Sequence, residues 1–191
     1  MAELGEGRHP ALLDRERAGL IVVDVQDAFR PVIDRFDQVV ANCGLLAEGF
    51  GVLGRPVLVT EQYPKGLGHT VPELAERLPG GARLVEKTRF SAYGVSAFDE
   101  AIAESGAASW VVAGIEAHVC VNQTVHDLLQ FGFQVQVAAD AVSSRTPTNR
   151  ELGMAKMTAA GAGTTSAEMA LFEMLEEAGS DEFKQISRLV R

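Results

Sequence analysis

The sequence predicts an α/β fold in which a parallel sheet is built from strands joined by crossover helices. Short apolar, β-branched runs alternate along the chain with longer segments of helical period. One of these runs, Ser109 to Gly114, is apolar along nearly its whole length, as a strand covered on both faces must be. The 191 residues, 47% of them hydrophobic, suffice for a three-layer core in one domain spanning residues 1–191.

The first strand is read at Leu20 to Val25, where IVVDVQ follows a polar stretch. A helix is expected from Arg35 to Leu53, with Val39, Val40, Cys43, Leu46 and Ala47 on one face and Asp37, Asn42 and Glu48 off it. That pattern makes Cys43 a core residue. The second strand is read at Pro56 to Thr60. A long loop of turn formers, EQYPKGLGHTVPELAERLPGG, leads to a short third strand at Arg83 to Glu86. A helix at Ser96 to Glu104 precedes the fourth strand, Ser109 to Gly114. The next helix spans Ala117 to Phe131 and closes at Gly132, the place for a left-handed residue. The fifth strand is Gln134 to Ala138, followed by the polar loop AVSSRTPTNR. A helix from Asn149 to Ala160, a sixth strand at Gly163 to Thr165 and helices within Ala167 to Leu189 complete the chain.

Charge and cysteine content narrow the classes of partner. A net charge of −9 repels phosphate backbones and anionic membranes, so neither nucleic acid nor a membrane is expected as a partner. No run approaches the length of a membrane span, and MAELGEGRHPALLDRERAG has no apolar core of a signal peptide, which makes a cytoplasmic location the expectation. In such a reducing compartment Cys43 and Cys120 are not expected to pair. His9, His69, His118 and His126 match no metal-ligand spacing, and neither a Walker A loop nor a GxGxxG after the first strand is present. No metal or other cofactor is therefore expected.

Ligands of open parallel sheets bind beyond the carboxyl ends of the strands. Asp24 ends the first strand, Lys87 follows the third, and Cys120 lies in the first turn of the helix after the fourth. A thiol there faces the positive end of a helix dipole, which lowers its pKa. Glu116 and Ala117 are weak N-caps, leaving N–H groups for a ligand. Each residue also has an ordinary reading: Cys120 as core, Asp24 as a cap or loop acceptor, Lys87 as a solvated cation. Together they form a nucleophile, a base and a cation.

Three blocks, IVVDVQDAF, EKTRFSAY and GIEAHVCVNQTVHDLLQFGFQVQVAADA, resemble the isochorismatase-like cysteine hydrolases in their order, over Ala18 to Glu168. TEQYPKGLGHTVPEL resembles the isochorismatase-domain-containing branch. The resemblance implies a three-layer α/β/α fold with six parallel strands in the order 3-2-1-4-5-6, and self-association into a dimer or larger assembly. It also implies that Cys120 is the nucleophile, that Asp24 shuttles its proton, and that Lys87 orients the pair. The N–H groups of Glu116 and Cys120 would form an oxyanion hole, with a cis peptide at Ile115-Glu116. Phe29, Gln62, Tyr63 and Phe90 would rim the substrate pocket. The metal-binding nicotinamidases of this superfamily carry Asp-x-His after the second strand, where this chain has Thr60, Glu61, Gln62 and Tyr63. The implied activity is hydrolysis of a small amide or related C–N bond through a thioester. Vinyl-ether cleavage of the isochorismatase kind and a non-catalytic binding role are the alternatives.

Overall fold

Six consecutive buried residues, AGLIVV, form the middle of the sheet because both of their faces must be covered. In the computed structural model, which describes residues 8–191, they make β1 (Ala18–Val23). The other strands are β2 (Val57–Gln62), β3 (Arg83–Lys87), β4 (Ser109–Ile115), β5 (Gln134–Ser143) and β6 (Gly163–Thr165). They pair in parallel in the order β3-β2-β1-β4-β5-β6, so the direction of winding reverses between β1 and β4.

The helices are α1 (Phe36–Val52), α2 (Pro64–Leu67), α3 (Pro72–Ala75), α4 (Ser96–Ser105), α5 (Asn122–Gln130), α6 (Pro147–Ala159), α7 (Ala167–Leu175) and α8 (Asp181–Leu189). Alternate residues of β1 serve opposite layers, as the two-residue repeat of a strand requires. Leu20 and Val22 pack in a core with α1, α7 and α8. Ile21 and Val23 pack in a second core with Phe98 of α4, Leu128 of α5 and Met157 of α6. Each such side chain contributes about 1.5–3 kcal/mol on burial. Val39, Val40, Cys43, Leu46 and Ala47 are all buried on α1, as the sequence periodicity predicts.

The strand ends depart from the sequence reading for local reasons. β1 stops at Val23 because Asp24 turns out of the ladder with φ 53°. β2 and β3 run on to Gln62 and Lys87, which pair with each other. β5 continues to Ser143 because Val142 and Ser143 pair with Gly114 and Ile115 beyond an irregularity in register. The loop after β2 contains α2 and α3, each four residues long and each opening on a proline. α6 begins at Pro147, two residues ahead of the reading, with the Thr146 hydroxyl accepting from the Asn149 N–H at 3.2 Å. The reading of residues 1–19 as lacking a signal peptide falls partly on residues 1–7, which lie outside the described residues. Among the described residues no helix is long and apolar enough to cross a membrane.

Candidate active site

Asp24 and Cys120 follow adjacent strands, so the topology delivers both to one edge of the sheet. The left-handed backbone of Asp24, a conformation aspartate tolerates better than most residues, turns its carboxylate toward β2 and β3. Oδ1 accepts from the Thr60 hydroxyl at 2.6 Å, and Oδ2 accepts from Lys87 Nζ at 2.7 Å. Lys87 is the last residue of β3, and its side chain reaches back across β2 to make this contact. The pair is sealed from solvent, with side-chain exposures of 0% and 1%. Two buried charges are tolerable only when each satisfies the other and the remaining sites are filled. Here Lys87 Nζ also donates to Gln62 Oε1 at 2.7 Å, the Phe90 carbonyl at 3.2 Å and the Arg89 carbonyl at 3.3 Å.

Cys120 sits in a five-residue π turn, Ala117–Val121, that precedes α5. The helix read as continuous from Ala117 is therefore two pieces. Glycines let the backbone close around this turn. A Cβ on Gly114, whose φ is 110°, would lie 2.1 Å from the Val23 carbonyl oxygen, so only glycine brings the end of β4 this close to β1. A Cβ on Gly153 of α6 would lie 2.6 Å from the Ala117 carbonyl oxygen, so α6 presses directly on the start of the turn. The Glu116 carbonyl accepts from the N–H groups of Val119 and Val121 at 3.0 and 3.2 Å. The Ile115-Glu116 peptide is cis.

Cys120 is 7% exposed. Burial first and Asp24 second raise it, Lys87 pulls it back, and the balance leaves it at about 12. The sequence expectation of a lowered pKa is corrected here: burial and the neighbouring carboxylate push the thiol up, and Lys87 offsets only part of that. The resting thiol holds its proton and interacts with the carboxylate that would accept it.

Cys120 opens onto a cavity of about 910 Å3 lined by Phe29, Val32, Leu67, Val119 and other largely apolar groups. All four residues read as a pocket rim, Phe29, Gln62, Tyr63 and Phe90, line it. Tyr63 and Phe90 are exposed at 53% and 55%, as rim residues are. Arg145 and Glu116 also line the cavity and pair with each other, Glu116 Oε2 accepting from Arg145 Nε at 3.0 Å and from its backbone N–H at 3.1 Å. A separate cleft of about 400 Å3, lined by Asp34, Arg35, Asp140 and Arg150 among others, contains none of Asp24, Lys87 or Cys120.

The histidines make local hydrogen bonds. His9 Nδ1 accepts from the Ala11 N–H, His69 Nδ1 contacts Glu61 at 2.9 Å, His118 Nδ1 contacts the Ser144 hydroxyl at 3.0 Å, and His126 Nδ1 contacts the Asn122 carbonyl at 2.7 Å. Among the described residues no group of three or more His, Cys, Asp or Glu side chains is placed to hold a metal ion.

The isochorismatase domain profile matches residues 18–169. The chain belongs to the isochorismatase family. It is 37% identical over 169 residues to isochorismatase domain-containing protein 1 of Danio rerio, covering 88% of this chain and 59% of that relative's length. Its fold is similar to a structure titled MAR1 ribonuclease from Caenorhabditis elegans, with TM-score 0.88, 36% identity and coverage of 94% and 92% of the two chains. It is also similar to YcaC from Pseudomonas aeruginosa, with TM-score 0.85, 26% identity and the same coverages.

Within this isochorismatase-family chain, several residues around the three were not singled out from sequence. Thr60 holds the second oxygen of Asp24. Gln26, fully buried, accepts from the Gln62 N–H at 2.7 Å and donates to the carbonyls of Gln62 and Gly68 at 3.0 and 2.6 Å. It ties the end of β1 to the end of β2 and to the loop beyond. The signal for both was a polar residue closing an apolar run, VLVT for Thr60 and VDVQ for Gln26. The Glu116 side chain gave no such signal, since its partner Arg145 lies 29 residues away.

Proposed function

We propose that the chain is a cysteine-dependent hydrolase acting on a small amide or related C–N bond through a covalent thioester. The observation that carries this reading is a buried carboxylate, Asp24, held by Thr60 and Lys87 beside a thiol that opens onto an apolar cavity. In the proposed mechanism Cys120 Sγ attacks the carbonyl carbon as its proton passes to Asp24. The oxyanion is held by the N–H groups of Glu116 and Cys120. Collapse breaks the C–N bond, and the leaving nitrogen takes the proton from Asp24. Water, giving its own proton to Asp24, then attacks the thioester and releases the acid. The sulfur leaves as the proton returns to it, which restores both groups. Lys87 holds the Asp24 carboxylate in place throughout.

The substrate part of the reading rests on the cavity. Its walls of Phe29, Val32, Leu67, Phe90 and Val119 suit an apolar group on the substrate. The YcaC structure carries covalent acrylamide, an electrophile that bonds through its vinyl carbon, which supports a reactive nucleophile in this fold. The ribonuclease name of the Caenorhabditis elegans structure offers a different substrate class. The net charge of −9 and the apolar cavity favour a small molecule over a polyphosphate chain. The reading includes a homo-oligomer, supported by exposed Val32, Tyr63 and Phe90 around the cavity mouth, and light scattering of the purified chain checks it.

The deciding experiment is a panel of simple amides, ureides and vinyl ethers tested with the wild type and Cys120→Ala. Turnover of an amide that vanishes in the variant supports the reading. Pyruvate release from a vinyl ether that survives in the variant would replace it with isochorismatase-type cleavage, and inertness toward the whole panel would favour a binding role.

A further inference from the structure

We propose that Gln62 is a positioning residue, whose side-chain amide fixes Lys87 against Asp24 and preserves the positive charge that the Cys120 thiol feels. The inference rests on the hydrolase reading for its kinetic consequence, while its effect on the thiol is independent of any substrate.

Gln62 and Lys87 are directly paired residues at the ends of β2 and β3. Oε1 of Gln62 accepts from Lys87 Nζ at 2.7 Å, and Nε2 donates to the Thr88 carbonyl at 2.9 Å. This orientation of the amide is the one chemistry allows, because an NH2 group turned toward an ammonium would repel it. The backbone of Gln62 is clamped at both its N–H and its carbonyl by the buried side chain of Gln26. Gln62 is therefore held at its main chain and at both ends of its amide.

An ammonium has three protons. Those of Lys87 meet Asp24 Oδ2 and Gln62 Oε1, with the carbonyls of Arg89 and Phe90 sharing the third direction. No proton is left for a substrate carbonyl, so what Lys87 supplies to the reacting atoms is charge and the orientation of Asp24. The residue opposite must accept a hydrogen bond without cancelling that charge. Glutamine does so. Glutamate would accept equally well but bring a negative charge, and methionine would fill similar space without an acceptor. Among the other charged groups nearby, Asp24 is held by Thr60 and Lys87, Glu116 and Arg145 pair with each other, and Glu61, on the opposite face of β2, binds Thr70 and His69, while Lys65, Glu86 and Arg89 line a neighbouring cleft with Lys87.

The sequence reading placed Gln62 among substrate-binding residues, and it does line the cavity. The two roles predict different kinetics. A substrate contact moves KM, whereas a positioning residue moves kcat and the pH profile of the nucleophile.

The test uses the full chain with Gln62→Glu and Gln62→Met. Alkylation of Cys120 by iodoacetamide is followed by peptide mass spectrometry from pH 7 to pH 11, alongside kinetics on the best amide of the panel, with thermal melts to verify folding. In Gln62→Glu the alkylation profile is expected to move to higher pH, slowing the reaction at pH 9 by at least about fivefold, since each pKa unit is worth about tenfold. Gln62→Met is expected to lower kcat by at least about tenfold with KM changed by less than about threefold. A Gln62→Glu profile that superimposes on the wild type overturns the proposal. So does a Gln62→Met variant with raised KM and intact kcat, which would return Gln62 to substrate binding. If every amide proves inert the hydrolase reading fails, yet the alkylation profiles still decide the role of Gln62.

Discussion

Cys43 and Cys120 are both free and buried thiols, and burial is the leading influence on each. Cys43 lies on the inner face of α1 with 0% exposure, and its Sγ donates to the Ala141 carbonyl at 3.6 Å. Burial pushes it far up, and the negative charge of Asp140 pushes it further. Nothing opposes them. Cys120 is held against the same kind of hydrocarbon but meets an ammonium, Lys87, that pulls it back toward about 12, and it opens onto a cavity. A buried thiol is thus inert by default. What separates the two sites is a neighbouring cation that favours thiolate, a neighbouring carboxylate, and an adjoining cavity.

The largest expected effect breaks the comparison outright. Cys120→Ala should lower turnover by at least about a thousandfold, as removal of a nucleophile does elsewhere. Cys43→Ala should leave turnover within about twofold. Equal losses in steady-state assays of the two variants would mean that the difference in surroundings has no catalytic meaning.

Next in size is removal of the cation. Lys87→Met leaves Asp24 as a buried carboxylate without its counter-ion, which should cost about 3–5 kcal/mol of stability in urea denaturation. A loss below about 1 kcal/mol would show that Asp24 is not buried as a charge.

The smallest effect sharpens the contrast. Cys43→Ala should cost about 1 kcal/mol at neutral pH, read from the same urea titrations. Both thiols have folded-state pKa values raised above the ordinary 9.0, so the folded chain keeps protons that the unfolded chain releases. That contribution is fully present below about pH 9 and is lost as pH rises, through about 12 for Cys120 and beyond it for Cys43. Removing Cys43 should therefore flatten the decline of stability above pH 9. An unchanged slope would contradict its burial as a thiol.

How much of this was legible in the sequence follows from the range of each interaction. The helical period placed Cys43 in the core, and the apolar runs located six strands to within a few residues, because those patterns repeat over many positions. α2 and α3 were too short to show a period at four residues each, and only Pro64 and Pro72 marked their starts. The strand order came from resemblance, since periodicity says nothing about which strands are neighbours. At the site, residue types and strand ends nominated Asp24, Lys87 and Cys120. The contacts that hold them, from Thr60 and Gln26 to the four acceptors of Lys87, join segments 25 to 63 residues apart as well as near neighbours, and they appear only when the sheet is assembled. The pKa of Cys120 departs from the sequence expectation for a related reason. A helix terminus is visible in sequence, whereas the depth of burial and the distance to Asp24 are not.

The most direct measurement of the central claim compares Asp24→Asn with the wild type in two assays, amide turnover and alkylation of Cys120 at pH 8. Asp24 raises the thiol while Lys87 lowers it, so neutralising Asp24 should make alkylation at least about threefold faster. The same change removes the group that, in the proposed mechanism, accepts and returns the proton, so turnover should fall by at least about a hundredfold. A nucleophile made easier to ionise in an enzyme made slower is the predicted result. Slower alkylation, or turnover that survives, would contradict the account.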